Sequence, residues 1–236
     1  MLDGGSAGLI IVPARTARGV SLFAVDPFSR GLGRQPSVTL DQTRKLAVVT
    51  FDATPARLIG TDGGGWPVLE RVLDFAAVGL ASEQVGGAEA ALDMPVGYLT
   101  TRVQFGQLIG AFQALKHMAA DVPVEVESAR SAAYYALNAA AEDNDELPAA
   151  ASLCQAYCSE AFVTAAHQNV QFHGGMGLTW EASPHLYFKR ARSFEVFLGD
   201  AVAHRDQADR VAGDPAAGAR TIAGAAHASA RATNVQ

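Results

Sequence analysis

The sequence predicts a mainly α-helical protein with a small β part, in which an antiparallel helical bundle follows a small sheet domain. Before residue 62 the apolar residues come in short β-type runs broken by Gly, Pro, Asp and Ser; from residue 63 they recur at threes and fours over long stretches. These helical stretches are joined by short loops, which makes neighbours in sequence antiparallel neighbours in space. The expected divisions are residues 1–62 for the sheet part, 63–213 for the bundle and 214–236 for a disordered tail.

The runs "LIIVPA", "VSLFAVD" and "LAVVTFD" read as strands of one small sheet, the alternation in the second marking a half-buried strand. After "GTDGGG", residues 60–65, the stripe Leu69, Val72, Leu73, Ala76 and Leu80 predicts a helix towards Tyr98, with a kink or break near Pro95. A glycine-punctuated turn, "RVQFGQLIG", leads to a second stripe of Phe112, Leu115, Ala119, Val122 and Val126. This helix runs towards Ala141, with Pro123 expected to kink it. Pro148 suits a first helical turn, and Leu153, Tyr157, Ala161, Thr164, Ala165, Gln168 and Phe172 continue at helical spacing. Gly174 fits the left-handed position that stops a helix. A last helix is expected from about Ser193 to Ala212, carrying Val196, Phe197, Val202 and His204, and beyond Gly213 almost no large apolar residue remains to bury.

Composition narrows the function. The hydrophobic fraction is 49% and the formal net charge −6, so the chain is globular and lacks the basic footprint of a nucleic-acid or anionic-lipid binder. The apolar run "LIIV" falls far short of the ~18 residues a spanning helix needs, and no signal-peptide layout precedes it, which makes a cytoplasmic location the expectation. Cys154 and Cys158 are four apart on one helical face. Two thiolates are half a zinc site, and buried free thiols are expected instead.

The stretch "QFHGGMGLTWE", Gln171 to Glu181, concentrates glycines at the end of an alanine-rich helix. One glycine there is a cap, but Gly175 and Gly177 need another reason. Bare backbone lets a ligand such as a phosphate approach main-chain N–H groups, and Gln171 one turn earlier offers an amide donor. By spacing alone this phosphate cradle and a tightly packed interhelix turn fit equally well.

The segment "YLTTRVQFGQLIGAFQALKHMAADV" resembles the Arg-x-x-Phe-Gly motif and following Phe-Gln of the acyl-CoA dehydrogenase family, and "QFHGGMGLTWEASPHLYFKRARS" resembles its Gln-x-x-Gly-Gly-x-Gly motif. "GVSLFAVD" and "QTRKLAVVTFD" resemble later strands of that family's middle sheet domain, so the likeness spans roughly Gly8 to Gly213 and makes residues 1–62 a partial middle β domain. The resemblance implies FAD as cofactor, an acyl-CoA thioester as substrate, α,β-dehydrogenation, and electron transfer to an accepting flavoprotein. It also implies a homo- or hetero-oligomer, dimer or tetramer, with the dinucleotide across a subunit boundary. Arg102 would bind the pyrophosphate, Phe105 would pack beside the flavin's carrier chain, Gln113 would sit near them, and Gln171 and Gly175 would hold the ADP part. A guanidinium suits that task because its fork of donors matches phosphate oxygens and keeps its charge.

The same resemblance exposes departures. The family's base is a carboxylate preceding a glycine, and the matching residue in "RARSFEVFLGDAV" is Leu198; a variant position on the first bundle helix matches Ala76. No catalytic residue is therefore assigned. The nearest carboxylates are Glu195, expected one helical turn before Leu198 on the same face, Asp200, and Asp74 and Glu83 on the first helix. Where the family places a Thr and a Gln after the glycine, Asp200 and Val202 stand here. The family's N-terminal helical domain and first sheet strands have no counterpart, so the alternative expectation is a non-catalytic subunit that completes a partner's FAD site.

Overall fold

The computed structural model describes residues 1–213; the tail expected at 214–236 lies outside the described residues. Two compact units are present, Met1–Val72 and the chain from Leu73 onward.

In the first unit the strands are β1 (Ile10–Thr16), β2 (Gly19–Val25), β3 (Leu32–Pro36), β4 (Ala47–Phe51) and β5 (Arg57–Ile59). They form two antiparallel sheets, β1-β2-β5 and β3-β4, rather than the single sheet expected. The polar "LGRQP" of β3 and the three residues of β5 carry no apolar alternation to announce them. Pro13 is accommodated because β1 is an edge strand, where a missing N–H need not break a ladder. The buried face of β2 holds a polar residue: the Ser21 hydroxyl donates to Asp62 Oδ1 at 2.7 Å and accepts the Gly63 N–H at 2.7 Å. The Thr16 hydroxyl donates to the same oxygen at 2.7 Å. These bonds fasten the loop before the first helix to the β1-β2 hairpin.

The helices are α1 (Gly65–Thr101), α2 (Gln113–Glu142), α3 (Leu147–His173), α4 (Pro184–Phe194) and α5 (Ala201–Gly213). Between α1 and α2 lie a two-stranded hairpin, β6 (Val103–Gln104) and β7 (Gln107–Leu108), and a 3-10 turn, Ile109–Ala111. Helix α1 runs unbroken through Pro95 and α2 through Pro123. Each proline removes one hydrogen bond, and a helix of 37 or 30 residues packed along its length tolerates that loss. The largest correction concerns the last helix. The helix expected from about Ser193 begins only at Ala201, as α5, because Leu198 (φ 64°) and Gly199 (φ 112°) turn the chain out of helical geometry, and α4 before it lies almost wholly where no helix was expected. Glu195 and Leu198 therefore do not share a helix face.

Helix α3 is the axis of the bundle, packed against α2, α4 and α5. One core cluster joins Ala81 and Val85 of α1, Ala129 and Ala133 of α2 and Ala151 and Cys158 of α3; a second joins Leu80 and Ala88, Val126, Phe162 and Ala166, and Ala191 and Phe194 of α4. Small residues let the axes approach closely: a Cβ on Gly87 would lie 2.6 Å from the Phe162 ring. The predicted stripe of α3 is only partly its buried face. Leu153 and Thr164 are exposed, whereas Ala150, Cys154, Phe162 and Ala166 are buried. A helix surrounded on several sides has no single stripe to read. In α1, Val72 is likewise exposed and Ala77, Val78 and Ala81 take the core. Cys154 and Cys158 are free and buried as expected.

Candidate functional site

At one end of the bundle the structure gathers the five residues named from the motifs. Arg102 follows α1 directly. Its N–H donates to the Tyr98 carbonyl at 2.9 Å and its carbonyl accepts from Ile109 N–H at 2.9 Å, which fixes the backbone while leaving the side chain exposed. Among the described residues the guanidinium has no hydrogen bond or ion pair. Phe105 and Gly106, with φ 54° and 79°, form the two-residue tip of the β6-β7 hairpin. Positive φ at both central positions is the geometry in which Asn-Gly is preferred. A phenylalanine in the first position is strained by about 1–2 kcal/mol, and its ring is 92% exposed. It meets the Phe112 ring edge-on at 6.2 Å between centroids. Phe112 caps α2, whose first residue is the exposed Gln113.

Gln171 and Gly175 arrive at the same end through a contact that the sequence reading missed. Tyr98, one turn before Arg102, stacks on His173 with centroids 4.5 Å apart, and His173 Nδ1 is held 2.8 Å from the Asn169 carbonyl. Below this stack Leu99, Ile109 and Phe172 form a small core with Phe112 and Leu115. Tyr98 and His173 are thus positioning residues; the aromatic residue within each motif was the available signal.

The glycines now separate. Gly174 ends α3 at φ 58°, ψ −140°, a mirror-β conformation that only glycine adopts readily, rather than the left-handed helical position expected. A Cβ on Gly177 would lie 2.8 Å from the Val170 carbonyl oxygen, so this glycine is required by packing. Around Gly175 a Cβ would meet nothing within 4 Å, and its backbone is not at positive φ. Gly175 is the one glycine of the motif for which the fold supplies no internal reason. Gly177→Ala should destabilise the bundle by about 1–3 kcal/mol, read from the denaturant midpoint, while Gly175→Ala should leave the midpoint within about 0.5 kcal/mol. A large loss for Gly175→Ala would mean that this turn is packed differently.

Three of the carboxylates named from the sequence are engaged elsewhere. Leu198 sits on the turn between α4 and α5, Ala76 is half-buried on α1, and Glu195 is paired with Arg192 at 2.6 Å. Asp200 Oδ1 accepts the Ala203 N–H at 2.8 Å and so caps α5, and Glu83 is paired with Arg190. Val196 and Val202, expected on one last helix, are 72% and 65% exposed, Val196 on the turn and Val202 on α5.

Comparison with known proteins agrees with this architecture. Residues 63–213 match the model of the acyl-CoA dehydrogenase C-terminal domain. The acyl-CoA dehydrogenase IpdE2 of Mycolicibacterium smegmatis is 38% identical over 199 residues, covering 84% of this chain and 57% of that protein. Among solved structures, the steroid ACAD Tcur3481-Tcur3483 (G363A variant) is 31% identical with a TM-score of 0.78, and the ChsE4-ChsE5 complex of Mycobacterium tuberculosis is 26% identical with a TM-score of 0.80. Each alignment covers 89% of this chain, and 56% and 57% of the respective solved chains. The chain therefore belongs to the acyl-CoA dehydrogenase family, and it spans a little over half the length of these relatives. Among the described residues no helix is long and apolar enough to cross a membrane, and no cluster of His, Cys, Asp and Glu could hold a metal ion.

Proposed function

We propose that this chain is the bundle-bearing part of an acyl-CoA dehydrogenase-like flavoprotein that oxidises an acyl-CoA thioester at its α,β bond, and that the bundle end around Arg102 and Gly175 takes the ADP part of FAD. The observation that carries this reading is the convergence of an exposed, unpaired guanidinium and an open glycine turn, joined through the Tyr98–His173 stack. The donor set fits the group. Arg102 supplies a delocalised cation for a diphosphate, Gln171 and Gln113 supply amides, the main chain at Gly175 is unobstructed, and Phe105 offers an exposed aromatic face. FAD bound there would accept the hydride leaving the β carbon. The residues of this chain bind and orient it.

A second reading is favoured by Leu198. A leucine side chain cannot take the α proton, and the two carboxylates that flank it in sequence are engaged elsewhere, Glu195 with Arg192 and Asp200 as the cap of α5. On this reading the chain is a non-catalytic subunit that completes a partner's FAD site. The relatives whose names join two chains, Tcur3481-Tcur3483 and ChsE4-ChsE5, support it by analogy. Homo- or hetero-oligomerisation and an electron-accepting flavoprotein partner belong to both readings, as does a location in the cytoplasm. The proposed domain limits remain 1–62 and 63–213.

Flavin absorbance of the purified chain, alone and after co-expression with neighbouring gene products, decides between them. Yellow protein that reduces an electron acceptor when given an acyl-CoA supports the enzyme. Colourless protein that joins a yellow complex supports the subunit, and no flavin in either sample removes both. At the hairpin tip, Phe105→Asn relieves the strained turn and should raise stability by about 1 kcal/mol while lowering flavin retention in whichever assembly is yellow. Lower stability in that variant would show that the ring is packed in the folded state.

A further inference from the structure

His204, in the first turns of α5, is 8% exposed, and among the described residues neither ring nitrogen has a hydrogen-bond partner of good geometry. Its ring lies directly under the turn between α4 and α5: a Cβ built on Gly199 would stand 3.4 Å from Nε2 and 3.6 Å from Cδ2. Above it the backbone is held in two successive positive-φ residues, Leu198 at 64° and Gly199 at 112°. For leucine that conformation is unfavourable and persists only where the surroundings fix it. What fixes it is visible: the Asp200 cap on Ala203, the His204 N–H to Asp200 carbonyl bond at 3.1 Å, and the imidazole beneath.

We propose that His204 is a proton-sensitive latch on residues 195–200: the neutral ring seats under Gly199 and holds Leu198 in its strained turn, and protonation unseats the ring and frees the turn. The charged groups on the packed elements stabilise an imidazolium too little to offset its burial. On α3 the nearest carboxylate, Glu160, is taken by Arg205 of α5 through both oxygens, and the buried polar neighbours along that helix, Ser152, Gln155 and Ser159, are uncharged. Burial holds the Cys154 and Cys158 thiols neutral as well, that of Cys154 pushed up to about 12. From the turn, Glu195 is paired with Arg192 and Asp200 is engaged as a cap. The Leu198 carbonyl and Asp200 do favour the charged ring, but burial outweighs them and holds the histidine below its usual value. An unfolded or opened segment takes up the proton near pH ~6.5, whereas the seated ring takes it up only at lower pH. Between the two the open state binds more protons, so the closed turn is fully favoured above the ordinary value and loses ground as pH falls below it.

Backbone hydrogen exchange, corrected for intrinsic rates, tests this on the whole chain between about pH 7.5 and 5.5. Opening of residues 195–203 should rise by up to about tenfold per pH unit below the ordinary histidine value, while amides at the centre of α3 stay unchanged. His204→Gln and His204→Phe should each abolish that pH dependence. Should both variants fail to fold, the wild-type profile still decides: uniform change across the bundle, or none at the turn, overturns the latch. An NMR titration placing the His204 ring at or above the ordinary value overturns it too. None of these readouts involves flavin.

Discussion

Phe162→Ala should lower the unfolding free energy by about 3–5 kcal/mol, the largest effect expected of any single truncation in the bundle. The ring is 1% exposed, lies against Gly87 of α1 and meets the Phe194 ring of α4 at 6.0 Å between centroids. Its removal leaves a void where three helices meet, and the backbone contact with Gly87 cannot close without moving α1. Urea unfolding followed by far-UV circular dichroism gives the number. Leu153→Ala, on the same helix but facing outward, serves as the comparison and should change stability by no more than about 0.5 kcal/mol. Equal losses in the two variants would refute the packing around α3.

Arg102→Ala should reduce flavin retention roughly ten- to a hundredfold, because a charge-assisted contact to a phosphate is worth about 1.5–3 kcal/mol. The circular dichroism and the denaturant midpoint should stay those of the parent, since the side chain is exposed and makes no contact that the fold uses. Arg102→Lys should recover part of the loss, as an ammonium keeps the charge without the fork of donors. Unchanged flavin content in the alanine variant, measured on whichever assembly is yellow, would remove Arg102 from the site and with it the proposed binding end of the bundle.

The bundle was readable because apolar residues recur at threes and fours along α1 and α2 and because Pro148 and Gly174 bracket α3 closely, at Leu147 and His173. Three features were not. The sheets came out as two because β3 pairs with β4 and β5 with β2, through backbone bonds that no side-chain alternation reports. The α4–α5 break was invisible because its cause is a leucine at positive φ, a residue type that predicts helix, followed by a glycine at positive φ against which the His204 ring lies. The break allowed for at Pro95 did not occur, because packing along α1 offset the local preference. At the site, each motif was legible in isolation, whereas the stack of Tyr98 on His173 that joins them depends on α1 and α3 coming together. Gly175 and Gly177 look alike in sequence and are told apart only by what a methyl group would strike.

The burial of Cys154 and Cys158 in the α1–α2–α3 core gives the molecule a built-in clock. Alkylating reagents attack the thiolate, and here that form is both rare and out of reach. Modification therefore waits for the helices to part, so its rate in dilute iodoacetamide counts excursions of the bundle from its closed state.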